Sequence, residues 1–119
     1  MPVSDKTIST RTEFKTLLEE NKSVVVLKFG AEWCGPCKKI EGLVHEYIEK
    51  LPEVATCMVL DIDECFDLYA FLKSKKIVTA IPTLLAYYKG NTHYAPDEIV
   101  MGTKTEEIDL FFKSIQEFF

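Results

Sequence analysis

Apolar residues along this chain alternate between two rhythms. Val24-Val25-Val26-Leu27-Lys28-Phe29 is apolar on both faces and reads as a strand interior to a sheet with helices on each side. Downstream, Ile40, Val44, Tyr47, Ile48 and Leu51 recur at spacings of three, four and seven, the repeat of a helix with one buried face. Upstream, a short strand is predicted near Thr7-Ile8. Thr10-x-x-Glu13 then forms a capping-box pattern for a helix that buries Phe14, Leu17 and Leu18. After the break at Pro52, Ala55 to Ile62 reads as a second interior strand, and about Glu64 to Ser74 as a helix carrying Leu68, Phe71 and Leu72. Thr83 to Tyr88 is a strand, Lys89-Gly90-Asn91 a turn, and Glu98 to Met101 the last strand. A final helix, capped by Thr103-x-x-Glu106, presents Ile108, Phe111, Phe112, Ile115 and Phe118 as a wide apolar face. The predicted order βαβαβαββα describes an α/β domain with a mixed central sheet between helix layers.

No repeat, linker or low-complexity tract interrupts this order, and 119 residues suit one domain, 1–119, able to bury its own core. Composition adds exclusions. Hydrophobic residues at 47% and charged residues at 28% are ordinary globular values, which argues against a disordered or fibrous class. A formal net charge of −5 argues against general affinity for nucleic acid or an anionic membrane. The first six residues lack the apolar core of a signal peptide, and no apolar run has membrane-spanning length. A cytoplasmic location is therefore expected. Four cysteines in a secreted protein would serve two structural bridges; here the redox spacing of one pair points to a reducing compartment.

That pair lies in Trp33-Cys34-Gly35-Pro36-Cys37-Lys38, between the central strand and the amphipathic helix. The pattern places Cys34 at or just before the first helical turn and Cys37 one turn inside. At that end, unpaired backbone N–H groups and the helix dipole favour thiolate over thiol. Residues three apart on a helix are neighbours, close enough for a disulfide after modest adjustment. Proline is tolerated there because its missing N–H has no helical partner in the first turn.

At these residues the chain resembles the thioredoxin family. Ala31-Glu32-Trp33-Cys34-Gly35-Pro36-Cys37-Lys38 reads like the family signature. Ile81-Pro82-Thr83 matches its second landmark, and Gly102 stands where the family has a glycine between the last strand and the last helix. The resemblance runs from about Ile8 to Phe118 and implies the thioredoxin fold. It also implies a cis-proline at Pro82 facing the dithiol, where the residue alone would equally read as an ordinary strand-start proline.

The asymmetry of the two thiols assigns their roles. Cys34, nearer the helix end and expected to be the more exposed, attacks a substrate disulfide; Cys37, buried beneath it, resolves the mixed disulfide. By resemblance, Trp33 packs beside the dithiol and joins the docking surface. Pro82, if cis, exposes the backbone of Ile81 to an extended substrate segment, with Gly102 alongside. The implied function is a protein-disulfide reductase and electron carrier. It needs no bound cofactor beyond the Cys34–Cys37 disulfide, is recharged from NADPH by a thioredoxin reductase, and acts as a monomer on disulfide-containing proteins. The alternative is a binding module or complex subunit that holds a partner in the groove around Trp33, Ile81 and Pro82, with turnover incidental.

The remaining chemistry-bearing residues read more plainly. Cys57 alternates with Ala55 and Val59 on one strand face and is expected to be a small buried hydrophobe. Cys65 begins the third helix, resembling a position where animal thioredoxins often carry an extra cysteine, but Asp63 and Glu64 beside it oppose a thiolate. A four-thiolate zinc site using all four cysteines is disfavoured by the seven residues between Cys57 and Cys65. His45 reads as a solvated imidazole, and His93 lies in a loop without a metal-binding partner. Eleven residues separate Gly90 from Gly102, more than the family hairpin needs, so Thr92 to Asp97 is read as an insertion away from the sulfurs and a possible partner contact.

Two departures alter the dithiol's surroundings. Where the family has a buried aspartate, the chain has Lys28, and the aspartate's lysine partner is replaced by Val59. Gly42 replaces a helix-kinking proline, permitting a bend without imposing one. Lys28 reads either as an ammonium paired with Asp61 or Asp63, or as a group beneath the dithiol. In the second reading the ammonium form favours thiolate and makes the pair more oxidising, whereas a neutral amine would serve as a base for Cys37. The protonated form is expected, so that Lys28→Met lowers the potential and raises the pKa of Cys34.

Overall fold

The computed structural model describes residues 3–4 and 6–119. Its elements run α1 (Arg11–Glu19), β1 (Val24–Gly30), α2 (Gly35–Glu49), β2 (Thr56–Asp61), α3 (Phe66–Ser74), β3 (Thr83–Tyr88), β4 (Glu98–Met101) and α4 (Thr105–Phe118). The strands form a mixed sheet in the order β2-β1-β3-β4. β1 pairs parallel with β2 and antiparallel with β3, and β3 pairs antiparallel with β4. This is the thioredoxin fold.

All seven residues of β1 are buried, as an interior strand requires. Side chains alternate across it. Val24 and Val26 join Ile40, Val44 and Ile48 of α2 and Ile108, Phe112 and Ile115 of α4 in one apolar cluster. Val25, Leu27 and Phe29 join Phe14 and Leu18 of α1 and Leu68 and Leu72 of α3 in the other. The sheet thus has a core on each face, and every even-numbered position of β1 faces α2.

The structure revises four elements. No strand forms at Thr7-Ile8: Ile8 is buried, but Leu68 of α3 donates its N–H to Ser9 O at 3.1 Å, so a helix end holds this segment. An isolated bridge between Val3 and Cys57 is the nearest approach to the expected pairing. β2 is an edge strand of the four-stranded sheet rather than an interior one, which leaves Val59 52% exposed. α3 begins at Phe66 because Glu64 and Cys65 both donate to Asp61 O, closing a turn first. α4 begins at Thr105, with Lys104 at its N-cap and no side-chain cap. Gly102, at φ +91°, donates to Pro82 O at 3.0 Å and pins the chain before the Thr103 capping box can form. By contrast, the Thr10–Glu13 box on α1 closes as the pattern predicts.

α2 runs unbroken through Gly42, where an added Cβ would meet nothing within 4 Å. Glycine inside a helix is about 0.5–1 kcal/mol less stable than alanine. Gly42→Ala should therefore raise the unfolding free energy by about that amount in a urea titration, at unchanged redox state.

Candidate active site

The site is assembled where strand ends meet helix ends. Cys34 is the N-cap residue of α2, and its Sγ accepts the N–H of Cys37 at 3.2 Å. Cys34 donates its own N–H to Ala31 O at 3.1 Å, and its carbonyl accepts from Lys38 N, which closes the first turn. Pro36 occupies that turn, where a missing N–H costs nothing. The two cysteines are disulfide-bonded, with Cα atoms 5.3 Å apart. On reduction, the Cys37 N–H and the helix end remain aimed at the Cys34 sulfur, and both stabilise its thiolate.

Exposure does not separate the thiols as expected: Cys34 is 4% and Cys37 5% exposed. Their asymmetry lies in what they touch. Cys37 packs against the end of β1, where a Cβ on Gly30 would stand 3.3 Å from the Cys37 Sγ. Cys34 sits at the helix terminus beside Trp33, whose ring is 68% exposed.

The strand register brings the distant landmark to the same place. Phe29 pairs with Thr83, so Pro82 continues the β3 line opposite Gly30 and the cysteine loop. The Ile81–Pro82 peptide bond is cis, as the family resemblance implied. Thr83 pairs with Met101 across β3 and β4, which sets Gly102 beside Pro82. Trp33, Cys34, Cys37, Ile81, Pro82 and Gly102, separated by up to 69 positions, therefore share one end of the sheet.

Two residues that the sequence suggested only for other roles have a structural part in the site. Asp63 accepts the Trp33 Nε1–H at 2.8 Å and fixes the indole across the loop. Asp61 accepts from Asp63 N at 2.8 Å and from Glu32 N at 3.3 Å, tying the motif loop to the end of β2. Asp-x-Asp after a strand is a turn signal that could have shown them. Among the described residues neither aspartate forms an ion pair with Lys28, one of the two readings open for that lysine. The carboxylate acting on Lys28 is Glu41 of α2, which opposes the burial that pushes the lysine's pKa down.

Among the described residues no group of three or more His, Cys, Asp or Glu side chains is arranged to hold a metal. Cys57 lies in the α2/α4 cluster and Cys65 in the α1/α3 cluster, on opposite faces of the sheet, so they cannot jointly complete a zinc site with Cys34 and Cys37. Burial pushes the Cys57 thiol up to about 12. Burial first, then Asp61 and Glu64, push Cys65 up to about 11. Both should stay unlabelled when the reduced, folded protein meets iodoacetamide at neutral pH, with Cys34 alkylated first. Mass spectrometry showing early modification at either buried position would contradict this.

His45 is exposed and lies 3.0 Å from Glu49. His93 accepts the Ala95 N–H within the insertion, which docks on the α1/α3 face through Tyr94. Tyr94 meets Phe71 edge-on at 5.8 Å, and its carbonyl accepts the buried Tyr87 hydroxyl at 2.6 Å.

The family model described as Thioredoxin matches residues 5–114. The chain belongs to the thioredoxin family. Thioredoxin-1 of Saccharomyces cerevisiae is 40% identical over 81 residues, covering 68% of this chain and 73% of that one. Human thioredoxin is 36% identical over 86 residues, covering 71% and 77%. The solved thioredoxin of Malassezia sympodialis superposes with a TM-score of 0.65 at 30% identity, over 96% of this chain and 93% of that one. This thioredoxin-family domain is a thiol-disulfide oxidoreductase, and Cys34–Cys37 is its redox-active pair.

Proposed function

We propose that the protein is an electron carrier that reduces protein disulfides in the cytoplasm and is itself reduced by an NADPH-dependent thioredoxin reductase. The observation that carries this reading is the Cys34 sulfur at the α2 N-cap, receiving the Cys37 N–H with its resolving partner already bonded to it. In the forward step the Cys34 thiolate attacks a substrate disulfide and one substrate sulfur leaves as a thiolate. Cys37, deprotonated, then attacks the Cys34 sulfur; the mixed disulfide breaks, the second substrate thiolate leaves, and the Cys34–Cys37 bond forms. Two electrons pass to the substrate.

Docking uses the exposed Trp33 ring, with Ile81 just before the β3 ladder offering its backbone to an extended substrate segment, and Gly102 beside it. A reducing compartment fits the two further thiols, Cys57 and Cys65, which are free and buried. The chain works in this reading as a monomer with no bound cofactor. The test couples the protein to a thioredoxin reductase and follows NADPH oxidation on adding an accessible protein disulfide, with dithiothreitol replacing the reductase in parallel. Catalysis in both arms is expected. Catalysis with dithiothreitol alone would reassign the electron source; a rate no higher than that of dithiothreitol by itself would overturn the reading.

A further inference from the structure

The buried lysine of β1 has no part in the chemistry so far, and its position gives it one. Lys28 is 7% exposed and occupies an even-numbered position of β1, so it faces α2. Its strand neighbours are Val59 on β2 and Leu84 on β3, neither of which offers a charge. Among the described residues no ion pair or hydrogen bond ties it down. It lines a cavity of about 270 Å³ together with Gly30, Cys37, Glu41 and Asp61. Cys34 does not line that cavity, so the influence expected on Cys34 falls on Cys37 instead.

The charged groups around this space come from each packed element. α2 supplies Lys38 and Glu41, the loop before it Glu32, and β2 Asp61. His45 lines a smaller adjoining cavity of about 100 Å³ that Lys28 and Glu41 also share. Asp61 is engaged by backbone N–H groups, and Glu32 and Lys38 are exposed. Glu41 lies four residues after Cys37, on the same helical face, and acts on Lys28 through space.

We infer that Lys28 is a positioning residue for the resolving thiol: the Lys28 ammonium stabilises the Cys37 thiolate across the shared cavity. The inference rests on the division of labour between Cys34 and Cys37 proposed above. In the step concerned, Cys37 gives its proton to solvent through the open cavity, and its sulfur attacks Cys34 Sγ and expels the substrate thiolate. A cation beside Cys37 lowers the cost of the first event without touching substrate. Burial works against the ammonium and Glu41 works for it.

The experiment mixes reduced protein with an aromatic disulfide reagent whose two thiolate halves are coloured. Cys34 releases the first half and Cys37 the second, so stopped-flow absorbance separates the two steps. Lys28→Met should slow the second phase about tenfold at neutral pH and move its pH midpoint up by about one unit, the equivalence of a tenfold change in thiolate fraction. Its first phase should match wild type. A second phase in folded Lys28→Met with wild-type rate and midpoint overturns the inference. Should Lys28→Met fail to fold, Lys28→Gln decides: a rising second midpoint supports the assignment, and one that stays or falls overturns it. The reagent needs neither a reductase nor a protein substrate, so failure of the electron-carrier reading leaves this result intact. Failure of the division of labour would show separately, as a first phase that survives Cys34→Ser.

Discussion

Cys37→Ser is expected to capture disulfide-bearing proteins as covalent mixed disulfides, whereas Cys34→Ser captures none, and both variants lose catalysed disulfide reduction down to the uncatalysed rate. The backbone explains why the first variant still attacks. The group that stabilises the Cys34 sulfur is the N–H of residue 37, which serine retains, together with the N-terminus of α2. Cys34→Ser removes the sulfur at the helix end and leaves Cys37, one turn inside α2 and packed against Gly30. Non-reducing gel electrophoresis after incubation with an accessible protein disulfide reads the outcome. Equal trapping by the two variants would refute the division of labour, because the two sulfurs would then be equivalent nucleophiles.

Phe112→Ala should cost about 3–5 kcal/mol of stability, the loss typical of emptying a fully buried aromatic position. Phe112 is 0% exposed and stacks on Tyr47 of α2 at 4.7 Å with Phe111 edge-on at 5.0 Å, so it clamps α4 to the helix that carries the dithiol. Of the ~5–15 kcal/mol that an ordinary domain has, this is a large share. The expected result is a much lower urea midpoint together with retained exchange chemistry wherever the fold survives, since no atom of Phe112 lines the cysteine loop. An unfolding free energy within about 1 kcal/mol of wild type would mean that α2 and α4 close around the gap more completely than buried aromatic sites usually do.

Local signals sufficed wherever one face of an element was decided by its own residues. The β-branched run at Val24–Val26 predicts a doubly covered strand, and every residue of β1 is buried. The Thr10–Glu13 capping box closes because its partners lie within one turn. The Cys-Gly-Pro-Cys spacing likewise places a thiol at the N-cap of α2 with a proline in the first turn. The sequence could not tell which strand lies at an edge, since β2 is as apolar in composition as an interior strand; only the sheet order leaves Val59 in water.

The limits at Thr7-Ile8 and Thr103 have the same origin. Each segment carried a local signal, but a backbone group from far along the chain decided its conformation: Leu68 N–H at Ser9, and Pro82 O at Gly102.

By itself, then, the sequence determined most of the elements, the redox pair and the family landmarks, because periodicity, capping and the cysteine spacing act within a turn or a strand. Tertiary structure alone decided that Pro82 and Gly102 close on the cysteine loop, that Asp63 holds Trp33, and that Lys28 shares a cavity with Cys37, Glu41 and Asp61. Those relations depend on strand register and helix docking, which fix distances between residues tens of positions apart and leave no local trace in the chain.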